Sequence, residues 1–157
     1  MRSPHAWVIA VDSPRQSGCR LSLHTDQYQG VHMENQNIAI IGLGRIGSAF
    51  LREMVNMNQR GIHLAYASEK LDTPGKAQAA SAGVKLVTLD EIVKAGKHID
   101  VIFDLTGNAD VRKELREKMA ASANHHTVIA SETIARLIWS LISADNLPVI
   151  EGRKTGY

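Results

Sequence analysis

The sequence predicts a three-layer α/β fold, in which a parallel sheet of five to six strands carries helices on both faces. Three observations predict it. From residue 38 onward, short apolar runs alternate with segments of helical length. The first run, Ile38-Ala39-Ile40-Ile41, is continuously apolar, as expected of a strand covered on both sides. A glycine-rich loop, Gly42-Leu43-Gly44-Arg45-Ile46-Gly47, then leads straight into an amphipathic segment. Strands separated by helices call for parallel pairing through right-handed crossovers.

The elements follow in order. After the loop, Ile46, Phe50, Leu51, Met54 and Val55 recur at helical spacing. Gly61 ends that unit, and Ile62–Ala67 reads as the second strand. Pro74 opens an alanine-rich helix that stops at Gly83, with proline at the start and glycine past the end. Val84–Val87 is a third strand. Thr88-Leu89-Asp90-Glu91 is a capping box, starting a helix that ends near Gly96. Residues 100–105 form the fourth strand, and Thr106-Gly107-Asn108 turns into a charged helix ending near Ala121. Thr127–Ala130 is a fifth strand. The last element is a helix whose stripe of Ile134, Leu137, Ile138, Leu141 and Ile142 is expected to cover the sheet, leaving Trp139 off the stripe and exposed as a partner or dimer surface.

Residues 1–33 differ: they hold Ser3-Pro4, Ser13-Pro14, Gly18 and Gly30 without sustained periodicity, and read as a flexible arm ahead of a domain over 34–157. Met33 is a candidate natural start; the rival reading is a strand at 6–11 added to a sheet edge.

Composition excludes some functions. The net charge of +2 offers no basic cluster for nucleic acid or an anionic membrane. No apolar run approaches the roughly 20 residues that span a bilayer. The single cysteine, Cys19, excludes an internal disulfide and suits a reducing compartment, so the expected location is the cytoplasm. Cys19 has no histidine or acid constellation beside it and is assigned no catalytic role. His125 and His126 are adjacent, so their side chains diverge and no metal site is expected. Glu114 and Lys118 are spaced as an ion pair on a solvated helix face.

The loop carries the chemistry. Gly42 permits a tight turn out of the strand, Gly44 admits a pyrophosphate to the backbone, and Gly47 lets helix and sheet pack closely. The amides near Arg45 and Ile46 then point at the anion from a helix N-terminus, and Arg45 adds charge at the mouth. An acid is expected about 20 residues further, where the second strand ends. There Glu69 accepts ribose hydroxyls, favouring NAD, or Ser68 with Lys70 holds a 2′-phosphate, favouring NADP.

From Asn37 to about Ile142 the chain resembles the Rossmann-type cofactor domain of NAD(P)-dependent dehydrogenases, in particular the glucose-fructose and inositol oxidoreductases and homoserine dehydrogenase, with glyceraldehyde-3-phosphate dehydrogenase similar over Gly42–Gly47. The resemblance implies binding of NAD or NADP and places Thr106, Gly107 and Asn108 along the nicotinamide side. It also implies a catalytic lysine after the fifth strand, in a Glu-Lys-Pro motif; here Ser131-Glu132-Thr133 stands there. A carboxylate at Glu132 cannot replace that ammonium. Only the stretch 143–157 follows, where those enzymes carry a substrate domain. The segments Asp104–Asn108 and Val111–Leu115 are also similar to Rossmann-like modules of bacterial sensor kinases and transcriptional regulators. The expectation is therefore an NAD(P)-binding module with a sensory or regulatory role and no complete catalytic site. The alternatives are the cofactor domain of a split or fragmentary oxidoreductase, or a degenerate interaction domain. A homo-oligomer or partner chain is expected to engage the helix at 133–143.

Overall fold

The computed structural model describes residues 35–152, so the readings for residues 1–34 and for Cys19 lie outside the described residues. Five parallel strands form one sheet in the order β3-β2-β1-β4-β5. β1 (Gln36–Ile41) lies at its centre, and its alternating side chains divide between two cores. Ile38 and Ile40 face one layer, packing with Phe50, Leu51 and Met54 of α1 (Arg45–Asn56). Ala39 and Ile41 face the other, with residues of α3 (Leu89–Ala95) and α4 (Ala109–Ala121). The Phe50 ring meets Phe103 of β4 (Val101–Asp104) with centroids 4.8 Å apart. The three-layer α/β architecture expected from the alternating runs is the observed one.

Local signals set the other boundaries. β2 (Ile62–Ser68) ends at the residue before Glu69. Thr73 caps α2 (Pro74–Ser81), its hydroxyl accepting the Lys76 amide at 3.2 Å. The Thr88–Glu91 capping box forms in both directions. Glu114 and Lys118 pair at 3.4 Å, and Lys118 also reaches Asp90 on α3. β3 (Lys85–Leu86) is shorter than the expected Val84–Val87, because among the described residues it pairs with β2 alone and Thr88 begins a helix two residues later.

The final helix corrects the sequence reading. α5 (Glu132–Ile142) turns Glu132, Ala135 and Trp139 inward. Of the expected covering stripe, Ile138 and Ile142 pack on the core, but Ile134, Leu137 and Leu141 are 44%, 58% and 77% exposed, whereas Trp139 is only 6% exposed. Ser131 ends β5 (Val128–Ser131) and is at once the residue before the first turn of α5, so the strand dictates the helix rotation. Small Ala135 lets the helix approach, and the Trp139 indole fills the space below and donates from Nε1 to the Asp145 carbonyl.

At the opposite edge of the sheet Asp100 ties β1 to β4. One carboxylate oxygen accepts the Asn37 amide at 2.7 Å and the other meets His126 Nε2 at 2.7 Å. The Asn37 amide holds this carboxyl below its ordinary 3.8, His126 adds to the effect, and burial opposes it. A carboxyl depressed on folding stabilises the protein above its unfolded pKa, and that contribution is lost as pH falls through the folded one. Glu91, through the Thr88 amide, and Asp90, through Lys118, act in the same direction. Asp100→Asn is therefore expected to flatten the decline in urea midpoint below about pH 4 without removing it. An acid limb unchanged by the substitution would contradict this assignment.

Candidate functional site

Ser68, Ile41, Asp104 and Ser131 lie in one row at the carboxyl edge of the sheet. From β1 the chain goes to β2 and β3 on one side, then returns to β4 and β5 on the other. A crevice opens where those connections part, above the end of β1. The glycine loop and the segments leaving β2 and β4 line it.

Each loop glycine has a distinct task. Gly42 has φ +89°, and a Cβ there would stand 2.7 Å from the Thr106 amide nitrogen. A Cβ on Gly47 would lie 1.9 Å from the Gly42 carbonyl oxygen, so this glycine sets how closely α1 docks. Gly44 is different: its backbone is ordinary, and a Cβ would meet nothing within 4 Å. The space beside it is therefore open in the folded protein. Gly44 also caps α1 without a side chain, and no acid occupies the first turn. First-turn amides have no partner within their own helix, and the helix dipole places positive potential there.

The loop is braced from two sides. Glu69 accepts the Leu43 amide through one carboxylate oxygen at 2.7 Å and the Leu71 amide through the other at 2.9 Å. The Gly42 amide donates to the Ser68 carbonyl at 2.8 Å. From α2, Thr73 donates its hydroxyl to the Leu43 carbonyl at 3.2 Å, and a Cβ on Gly75 would lie 2.2 Å from Ser48 Oγ. Gly75 is a close-approach glycine that the sequence reading missed; its one signal was a glycine in the first turn of a helix, where alanine is better tolerated.

On the other flank, Asp104 is fully buried at the end of β4. Its Oδ1 accepts the Thr106 hydroxyl at 2.7 Å and the Thr106 amide at 3.2 Å, and Oδ2 accepts Arg112 Nε at 3.0 Å. The Asn108 amide donates to the Thr106 hydroxyl oxygen, and Asn108 Oδ1 caps α4. The Asp104–Arg112 pair was also missed. Its signal was an acid at the end of an apolar strand, with an arginine in the first turn of the next helix.

Between the flanks lies a cleft of about 370 Å³. Gly42, Gly44, Ser68, Glu69, Thr106 and Asn108 from the sequence-derived set line it, joined by Lys70 and by the apolar Leu71, Leu89 and Val111. Arg45, Ile46, Gly47 and Gly107 do not. Ile46 and Gly47 are buried in the α1 packing, and Arg45 is exposed beside the loop. Glu132 is fully buried outside the cleft, its Oε1 accepting Arg136 Nη2 at 2.8 Å and Nε at 3.0 Å. Among the described residues, no three histidine, cysteine or acidic side chains gather as a metal site, and no helix is long and apolar enough to cross a membrane.

A strand, glycine loop and helix N-terminus with an acid at the end of β2 form a dinucleotide cradle. Residues 10–129 match the family described as D-isomer specific 2-hydroxyacid dehydrogenase, NAD binding domain. The chain belongs to this NAD-binding family. The match begins within the stretch read from sequence as an arm. It supports the expected dinucleotide, NAD or NADP, and agrees with the resemblance to dehydrogenase cofactor domains.

Two solved structures illustrate the likeness. Homoserine dehydrogenase from S. aureus is 20% identical with a TM-score of 0.49, over 64% of this chain and 26% of that one. A scyllo-inositol dehydrogenase from Lactobacillus casei, with bound NAD(H) and scyllo-inositol, is 18% identical with a TM-score of 0.48, over 69% of this chain and 34% of that one. This NAD-binding chain thus spans between a quarter and about a third of the length of those proteins. Comparison with curated sequences gives no match.

The glycines make separable predictions. Gly44→Val is expected to fold, because its side chain enters open space, with a midpoint lowered only by the poorer helix cap, about 1 kcal/mol, and to lose dinucleotide binding. Gly47→Ala is expected to lower the midpoint, costing about 2 kcal/mol or more through forced displacement of α1. Calorimetry of both variants checks this; NADH binding by folded Gly44→Val at wild-type affinity would mean that the loop does not hold the phosphates.

Proposed function

We propose that the chain binds NAD(H) with the adenosine half in the cleft beside Glu69, and that it serves as a dinucleotide-responsive module with a sensory or regulatory role. The observation that carries the binding mode is that the Glu69 carboxylate faces the same cleft as the open side of Gly44. Pyrophosphate charge is met by the amides of Gly44, Arg45 and Ile46 at the start of α1, with Arg45 adding a cation at the mouth. Glu69 accepts ribose hydroxyls with lone pairs left over from its two amide bonds. A 2′-phosphate placed against it meets a like charge, so NAD(H) is preferred even with Ser68 and Lys70 alongside. Leu71, Leu89 and Val111 supply an apolar slot for the base. Thr106, Gly107 and Asn108 then contact the adenosine and pyrophosphate rather than the nicotinamide, since Thr106 and Asn108 share the cavity with Glu69.

The role follows from the far end of the site. A bound nicotinamide accepts or releases a hydride, and oxidation of an alcohol also needs a group to take its proton. Glu132, which stands where related oxidoreductases carry a lysine, is buried against Arg136. Among the described residues the cleft lining holds no histidine or cysteine, and its one lysine, Lys70, lies beside Glu69. Binding without turnover by the chain alone is the reading these facts support.

The family match favours a second reading, in which the chain is the cofactor-binding part of a dehydrogenase whose proton-transfer group comes from another chain or segment.

Titration of the whole chain tests the proposal. NADH is expected to bind with a Kd of roughly 1–100 µM, at least about tenfold tighter than NADPH. Glu69→Ser is expected to narrow that ratio, whatever it does to absolute affinity. Binding of neither dinucleotide would overturn the proposal. Steady NADH production from NAD and short 2-hydroxy acids by the purified chain would overturn the regulatory reading in favour of the enzymatic one.

A further inference from the structure

We propose that the hydroxyls of Ser48 and Thr73 are positioning groups that aim the Gly44 amide at the pyrophosphate, by holding the peptide between Leu43 and Gly44 in one of its two orientations. The proposal rests on the dinucleotide reading above and names the residues that set its grip on the phosphates. Leu43 is fully buried, and its carbonyl accepts both hydroxyls, from Ser48 at 2.9 Å and from Thr73 at 3.2 Å. The peptide is trans, so the Gly44 N–H points the opposite way from that carbonyl and away from the two hydroxyls. Gly44 itself lines the cleft.

Glycine makes such a hold necessary. Turning this peptide over carries Gly44, which sits at φ −70°, toward positive φ, a region that glycine enters readily. The reversed peptide presents a carbonyl oxygen to the anion in place of an N–H, and that oxygen repels it. The residue that leaves room for the phosphates therefore also leaves the peptide free to turn. Glu69 bonds the Leu43 amide at 2.7 Å, which fixes the preceding peptide and not this one.

The start of α2 is built onto the same carbonyl. Thr73 is the N-cap of α2: its hydroxyl oxygen accepts the Lys76 amide while its proton goes to Leu43. A Cβ on Gly75 would stand 2.4 Å from the Leu43 oxygen and 2.2 Å from Ser48 Oγ, so glycine is what lets the helix come this close. Ser48 Oγ also lies 2.7 Å from the Gly44 carbonyl and shares its one proton between the two oxygens. Thr73 is the donor committed to Leu43.

Ser48→Ala separates aim from stability. Alanine is the better helix former, so the thermal midpoint is expected to stay at or above that of the wild type. Affinity for NADH and for ADP-ribose is nevertheless expected to fall about threefold, and about tenfold when Thr73→Val is added. Thr73→Val alone also loses the α2 cap and melts earlier, so Thr73→Ser, which keeps the hydroxyl, is expected to restore both affinity and midpoint. NADPH is expected to weaken by the same factor as NADH, because Glu69 is untouched. Calorimetry on the full chain reads these affinities. Amide NMR of the free chain is expected to show Gly44 displaced in Thr73→Val and back in place in Thr73→Ser. Wild-type affinity in Ser48→Ala or in folded Thr73→Val overturns the proposal and leaves the binding reading standing, as does an unmoved Gly44 amide. A wild-type chain that binds neither NADH nor ADP-ribose overturns the binding reading and this proposal with it.

Discussion

The site depends on a contact that a side chain would destroy. The Gly42 carbonyl occupies the place where a Cβ on Gly47 would be, and the backbone of Thr106 occupies the place where one on Gly42 would be. Strand β1, helix α1 and the loop after β4 meet there at backbone distance. Because they meet so closely, the N-terminus of α1 is aimed at the crevice above the sheet, and the open side of Gly44 faces into the same crevice. Close packing makes such positions intolerant of even one methyl group, whereas a ligand-facing position is intolerant only once the ligand is present. The loop contains two positions closed to a methyl group, Gly42 and Gly47, and one open to it, Gly44, within six residues.

Around that contact the polar groups work in pairs. Glu69 anchors the loop from β2, and Asp104, with Arg112, anchors the Thr106–Asn108 turn from β4. Burying the Asp104 charge carries a large desolvation cost, offset here by the guanidinium and two hydrogen bonds from Thr106. Such an arrangement defines the shape of the turn more than it adds stability. Glu132 and Arg136 repeat the pattern beside β5.

Much of this was legible in the sequence, where one local rule acted alone. The β1 run, the loop, the Thr88–Glu91 box and the Pro74 start each fixed an element to within a few residues. The tight turn at Gly42 and the close helix packing at Gly47 were legible for the same reason. The misreadings came where two rules competed or where a partner was distant in sequence. α5 is apolar on most of its circumference, so its stripe did not say which side faced the sheet; the direct passage from Ser131 into the helix decided that. β3 was shortened by a helix cap two residues on. Gly75 and Arg112 act through contacts that close only when the chain folds, with Ser48 and Asp104 respectively. Of the residues expected to bind the cofactor, the cleft gathers Gly42, Gly44, Ser68, Glu69, Thr106 and Asn108. Ile46 and Gly47 support it from the core, while Arg45 and Gly107 lie outside its lining.

Amide-resolved NMR of the whole chain titrated with NADH tests the central claim most directly. The account predicts shifts concentrated at Gly44, Arg45, Ile46, Glu69 and Thr106, with amides at the opposite edge of the sheet, such as Lys97 and His125, unmoved. Saturating shifts confined to that opposite edge, or none at all, would contradict it.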